Sequence, residues 1–424
     1  MIVVMSCRGR RLLLGGLAAA LLSLGVSPAP SLAGDNSPTA VAAPNRERAA
    51  VNARVFDRVW NEVRREYYDP QFNGADWSAA RAAFRPKALA AWNDAELYSV
   101  LNDMLGLLND EHAAAASPVA VRRQETARTR RAVLGVTLNR RDDGSYAIEN
   151  VRAGSPADEA GVRVGWRLLP MPGGWTPEAQ VEKGASMRLR LLDEAGGTHD
   201  LTLTARLMEP TPVFSADRSR QGVVVLRVEG FEPGLGEWMG EQLADLPPET
   251  DVIIDLRGNP GGRLMEADAV LSCFLPHDQA WATRTGRNGR RVVLKTWNRC
   301  GELEAPAANE VAVLVSATSR SAAELTPAAL QEAGRAVVVG ERTAGAVLIS
   351  QDTVLPDGGR LTLSRADFVT RAGVRLEKRG VDPDVLAVST PDDRRAGRDP
   401  ALDAAIAALA KPTPAQAVMV ATAS

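Results

Sequence analysis

Reactive side chains are scarce in this 424-residue chain. It has three cysteines, three histidines (His112, His199 and His277) and five lysines (Lys87, Lys183, Lys295, Lys378 and Lys411). No Cys/His cluster has the spacing of a zinc site, so no metal is expected. No Gly-Lys-Ser/Thr follows the glycine-rich segment at 255–262, which argues against a phosphate loop. The formal net charge is −2, which gives no reason to invoke nucleic acid. Aromatic residues make up 4% of the chain, and the stripe Val55, Phe56, Val59, Trp60, Val63 and Tyr67 reads as helix core rather than a cofactor site.

The length suits two or three domains, and a hydrophobic content of 45% supports sizeable cores. Residues 1–33 read as a signal peptide. Arg8, Arg10 and Arg11 precede the run Leu12 to Leu24, and Ser31 and Ala33 suit cleavage after Ala33. The Arg10-Arg11 pair leaves twin-arginine export open beside the general route. The run is short and interrupted for a membrane span, so a tie to the membrane would follow only from an uncleaved leader. Removing the three arginines takes the charge from −2 to −5. The expected destination is exported: periplasmic in a bacterium, or secreted. Cys273 and Cys300 would then remain in an oxidising compartment, which permits a disulfide that spacing alone does not decide.

Residues 34–50, rich in Ala, Pro, Asn and Ser, read as a flexible lead-in. Residues 51–130 read as an N-terminal helical domain. Leu97, Val100, Leu101, Met104, Leu105 and Leu108 form one face of a helix that closes on Leu107-Leu-Asn-Asp-Glu-His112. A lone histidine at a helix end is usually a capping or dipole residue. Residues 118–130, rich in arginine, read as a solvated linker, and His199 and His277 as surface residues. Residues 208–410 read as an α/β core, with a hairpin turn at Leu355-Pro-Asp-Gly-Gly359 and a closing helix from Asp399 to Leu409. Residues 411–424 read as a disordered tail.

Two core segments carry chemistry. Val311-Ala-Val-Leu-Val315, then Thr318-Ser-Arg-Ser321-Ala-Ala-Glu324, then Ala336-Val-Val-Val339 reads as strand, serine at a helix mouth, parallel strand. A serine there is ordinarily an N-cap. It can also be a nucleophile, because the unpaired N–H groups of a helix start stabilise a developing oxyanion. Asp255-Leu-Arg-Gly-Asn-Pro-Gly-Gly262 follows the strand pattern Val252-Ile-Ile254. Gly261 and Gly262 let backbone N–H groups approach a substrate closely. The alternative for this loop is a plain tight turn. Pro327, inside the helix that Ser321 opens, implies a kink or a later start, which would put the Ala322 contribution in doubt.

Residues 131–207 resemble a PDZ domain, carried by Leu134-Gly135-Val136, Gly154-Ser-Pro-Ala157, Ala160-Gly-Val162 and Gly165. The resemblance implies capture of a peptide as an added strand, with its C-terminal carboxylate held by Leu134, Gly135 and Val136. Trp166 stands where such modules usually have Asp.

From about 51 to 410 the chain resembles the C-terminal processing (tail-specific) serine peptidases. The Ser-Ala-Ala-Glu segment, Val339-Gly-Glu-Arg-Thr-Ala-Gly345, Leu355–Gly359 and Gly380-Val-Asp-Pro-Asp384 carry the likeness. It implies a multidomain α/β chain: N-terminal helices, a PDZ-like β domain and a Clp-protease/crotonase-like core. The family's Ser–Lys dyad has its lysine after Thr-x-Gly, but here that position is Ala346, and no lysine lies near it in sequence. The tricorn-like branch implies another set: Ser321 as nucleophile, His112 as base and Glu377 as its carboxylate, with Gly261, Gly262 and Ala322 forming the oxyanion hole. The expected function is an exported serine endopeptidase acting through an acyl-enzyme on protein tails with apolar C-termini, with no cofactor. A homo-oligomer or an activator stays open. The alternative is an inactive pseudoprotease that binds peptides or serves as a scaffold, or an acyl-thioester enzyme on the crotonase-like core.

Overall fold

A computed structural model describes residues 46–127, 131–140, 145–152, 154–171, 181–193, 195–209, 212–297, 300–390, 392–393, 396 and 398–410. The leader (1–33), residues 34–45 of the lead-in and the tail (411–424) lie outside the described residues.

The first helix runs Arg46–Glu66 and buries Val55, Phe56, Val59 and Val63. It begins inside the segment read from composition as a flexible lead-in. Helices Trp77–Ala90 and Asp94–Gly106 follow, each capped by a carboxylate or amide, Asp76 and Asn93, that accepts a backbone N–H three residues on. Residues read as a linker form a fourth helix, Pro118–Ala127. Arginine is itself a good helix former, so an Arg-rich stretch does not exclude a helix.

This region is not closed on itself. Its core takes in Leu355, Leu361 and Leu363 from far along the chain. The short strand Ala114–Ala116 pairs antiparallel with the long strand Arg360–Thr370, Ala114 opposite Thr362 and Ala116 opposite Arg360. Strands Ile349–Val354, Ala280–Gly286 and Arg291–Lys295 complete that antiparallel sheet. The hairpin expected at Leu355–Gly359 joins Ile349–Val354 to Arg360–Thr370.

The second core sheet has the order Val385–Leu386, Val337–Gly340, Val311–Val315, Asp251–Asp255, Val223–Val228, Phe214–Asp217. All neighbours are parallel except the antiparallel edge strand Phe214–Asp217. Every residue of Val311–Val315 is buried, which is what its unbroken apolar run requires of a central parallel strand. The helix after it spans Ala322–Glu332 with Pro327 inside it, so the proline does not delay its start. A proline forfeits about 3 kcal/mol inside a helix. Residues Ala322 through Leu330 are all buried, and Leu325 and Leu330 alone contribute about 1.5–3 kcal/mol each.

Residues 131–208 form a small β module. Its five-stranded antiparallel sheet has Val136–Arg140 at one edge, and a two-stranded ladder joins Arg131–Val133 to Arg206–Met208. His199 is less free than the sequence suggests. Its ring stacks on Trp166 with centroids 4.3 Å apart, and its Nε2 lies 2.7 Å from Asp193 Oδ2. All the described residues fall in one compact unit, Ala43–Ser424.

Cys273 and Cys300 are bonded to each other and both are buried. Closing a loop with a sequence separation of 27 restricts the unfolded chain by about 3–4 kcal/mol. The double variant Cys273→Ser/Cys300→Ser should therefore unfold at a clearly lower urea concentration, with a loss of roughly 3 kcal/mol. An unchanged midpoint would show that the bond contributes nothing.

Candidate active site

Ser321 sits at the hinge between the loop after Val311–Val315 and the helix Ala322–Glu332. Its backbone has φ 54 and ψ −120, a conformation costly for any residue with a side chain. Asn109 (φ 48) and Lys378 (φ 62) are also left-handed, and they lie three residues before His112 and one after Glu377. The structure thus stores local strain in the three segments singled out from sequence.

The serine's backbone is held from two sides. Its N–H is donated to Ala346 O at 2.9 Å and to Glu324 Oε2 at 3.0 Å. Glu324 is fully buried. Besides Ser321 N–H, its carboxylate accepts Thr343 Oγ1–H at 2.6 Å, Gly345 N–H at 2.6 Å and Ala346 N–H at 2.9 Å. Burial pushes this carboxyl above its usual range, against the pull of those four donors. Thr343 Oγ1 in turn accepts Val381 N–H at 2.7 Å.

The glycine loop reaches the serine from the neighbouring strand. Asn259 donates Nδ2–H to Val228 O, and its carbonyl accepts Arg320 N–H at 3.0 Å. A Cβ added to Gly261 would lie 2.6 Å from Ser321 Cβ and 3.1 Å from Ala322 N, so only glycine fits there. The N–H of Gly261 is donated to Asn259 Oδ1 at 2.7 Å. That corrects its expected role as an oxyanion donor: Gly261 supplies close approach, and its own N–H is spent within the loop. No such bond engages the N–H of Gly262 or Ala322 among the described residues.

His112 arrives on the chain leading into the strand Ala114–Ala116. Glu111, just before it, is ion-paired with Arg320 and lies 3.7 Å from Lys378 Nζ. One carboxylate therefore ties the neighbour of His112 to the neighbours of Ser321 and Glu377. The His112 side chain is largely buried. Burial lowers its pKa below the usual histidine value, Asp110 and Glu111 raise it, and Arg320 and Lys378 lower it. Glu377 is buried too, but its Oε2 accepts Val347 N–H at 2.9 Å. Burial raises its pKa, as does the charge of Asp110. The carboxylate paired with His112 in this structure is Asp110, with Oδ1 3.8 Å from Nδ1, rather than the expected Glu377.

Leu134, Gly135 and Val136 lie apart from this cluster, with no hydrogen bond to it among the described residues. Leu134 O accepts Ala157 N–H and Gly135 O accepts Arg152 N–H, while Val136 opens the edge strand. Among the described residues no group of histidine, cysteine and carboxylate side chains is arranged to hold a metal.

Sequence reasoning assigned no role to Glu324, Asp110 or Glu111. Glu324 had a signal, the Ser-x-x-Glu spacing of a capping box, in which its carboxylate accepts the Ser321 N–H. Asp110 and Glu111 had none beyond standing next to His112.

Residues 222–387 match the model of peptidase family S41, and residues 49–106 match that of the tricorn protease C1 domain. A carboxyl-terminal-processing protease of Picosynechococcus is 27% identical over 356 residues, covering 79% of this chain and 83% of that protein. One from Synechocystis is 27% identical over 373 residues, covering 82% of each. Among solved structures, the photosystem II D1 C-terminal processing protease superposes with a TM-score of 0.56 at 22% identity. That match covers 80% of this chain and 94% of the other, and it establishes a shared fold. At the level of family, these matches make the chain similar to the S41 peptidases and to the carboxyl-terminal-processing and tricorn proteases.

Proposed function

We propose that this protein is an exported serine endopeptidase that binds protein tails through its β module and cleaves peptide bonds with Ser321. The observation that carries the reading is the convergence on Glu111, whose pairing with Arg320 and Lys378 links the neighbour of His112 to the neighbours of the strained Ser321 and of Glu377. In the reaction Ser321 Oγ attacks the scissile carbonyl and His112 takes the hydroxyl proton. Ala322 and Gly262 N–H groups hold the oxyanion, whose collapse expels the amine with the proton from His112. Water, deprotonated by His112, then releases the acyl group. The edge strand Val136–Arg140, paired on one side only among the described residues, suits a PDZ-like role in which a tail adds as a further strand. The leader pattern and the Cys273–Cys300 bond fit an oxidising compartment outside the cytosol.

A fluorophosphonate probe tests the serine without the natural substrate. Intact mass of the purified chain should show one adduct on wild type and none on Ser321→Ala. One observation favours a second reading. Ala346, whose carbonyl binds Ser321 N–H, stands where the Ser–Lys peptidases have their base. A folded wild-type chain that binds tail peptides yet takes no probe would sink the peptidase reading and leave a pseudoprotease.

A further inference from the structure

We infer that Asp110, two residues before His112, is the positioning residue that orients the His112 imidazole through Nδ1 and leaves Nε2 to face Ser321. This rests on the peptidase reading and departs from the resemblance, which gives the orienting role to Glu377.

Two buried polar atoms carry the argument. His112 Nδ1 and Asp110 Oδ2 are both buried with no hydrogen-bond partner. An unmade bond at a buried group costs about 1–3 kcal/mol, so native structures rarely keep one without a reason. Here the two orphans are complementary, a ring nitrogen able to donate and a carboxylate oxygen able only to accept. They lie in one turn, which is already closed by His112 N–H donating to Asp110 Oδ1 at 2.9 Å. The Asp110 side chain is fully buried, and its Oδ1 is 3.8 Å from Nδ1. That gap is longer than a formed hydrogen bond, and catalytic hydrogen bonds are often long before substrate arrives. Nε2 is not among the buried orphans, so the face of the ring away from Asp110 is the accessible one.

Glu377 is the weaker candidate on geometry. One oxygen is committed to Val347 N–H, next to Ala346, whose carbonyl accepts Ser321 N–H. The ionisable groups facing this pair are few. Glu111, Arg320 and Lys378 act on His112. Tyr67, Tyr68 and Glu377 neighbour Asp110. Tyr67 is held neutral, chiefly by burial and then by the charge of Asp110, and its hydroxyl is a second, neutral donor to that carboxylate.

Nitrogen-15 NMR of histidine-labelled full chain tests this directly, with His112→Ala to assign the resonance among three histidines. Near pH 8 the wild-type His112 should carry its proton on Nδ1. Asp110→Asn keeps the oxygen that closes the turn but presents an amide donor to Nδ1. It should shift the tautomer toward Nε2–H and lower the His112 pKa, because the charge of Asp110 raises it. Glu377→Gln should leave the tautomer unchanged. In cleavage assays Asp110→Asn should lower kcat by about 100-fold or more with KM little changed, and move the acid limb to lower pH. A wild-type His112 protonated on Nε2 would overturn the inference, even if Asp110→Asn does not fold. So would a tautomer that responds to Glu377→Gln and not to Asp110→Asn. Because the NMR result does not depend on turnover, an inactive wild type would count against the peptidase reading and not against the role of Asp110.

Discussion

His112→Ala is expected to lower kcat/KM for peptide cleavage by about 1000-fold or more while leaving the chain folded. Ser321 needs a base because a free serine hydroxyl is a weak nucleophile at neutral pH. Ala346, at the position the resemblance gives to a lysine, has its backbone against Ser321. The amine of Lys378 lies 3.7 Å from Glu111. The histidine side chain makes no hydrogen bond that the fold needs, as its Nδ1 is an orphan, so removing it should cost little stability. Wild-type activity should show the sign of the lowered pKa. The base works when neutral, so the acid limb should fall below the ordinary histidine value of about 6.5. Progress curves across pH with a melting curve for each variant decide it. Activity retained near neutrality in folded His112→Ala would remove His112 from the mechanism.

The second large effect is on the fold itself. Glu324→Ala should destabilise the chain by several kcal/mol and abolish activity. The carboxylate accepts four donors, of which Ser321 N–H alone has another acceptor, Ala346 O. Thr343 Oγ1 and the N–H groups of Gly345 and Ala346 would be left buried without partners, at about 1–3 kcal/mol each. Restoring an acceptor with Glu324→Gln should recover part of the loss. Its amide oxygen can receive one or two of the donors, but its NH2 group opposes the rest. Thermal melts compare the three chains. A melting temperature for Glu324→Ala within a degree or two of wild type would mean the four bonds carry little net energy.

How legible the site was depended on range. The strand–serine–helix unit at Val311–Glu324 and the loop ending in Gly261 and Gly262 were readable because each is set by neighbours in the chain. An apolar run with no polar break demands burial on both faces, and a glycine pair permits the left-handed turn beside the serine. Pro327 misled because a local penalty was weighed without the burial that outweighs it. The stretch at 118–127 misled for a related reason, since exposure of arginines says nothing against helix.

The sequence by itself determined which residues could do chemistry: one serine at a helix start, one histidine closing an apolar helix, and no lysine at the expected position. Tertiary structure decided which of them meet. His112 reaches the core because Ala114–Ala116 joins the long strand Arg360–Thr370, more than 240 positions later in the chain. The bond between Cys273 and Cys300 depends on their Cα atoms lying 5.0 Å apart. The roles of Glu324, Glu111 and Asp110 follow from donors and charges that packing brings to them. Hydrogen bonds and ion pairs act over a few ångströms, and their energies depend on burial. Neither the distances nor the burial of residues remote in the chain is written in local pattern, so partners were the property that only the fold could decide.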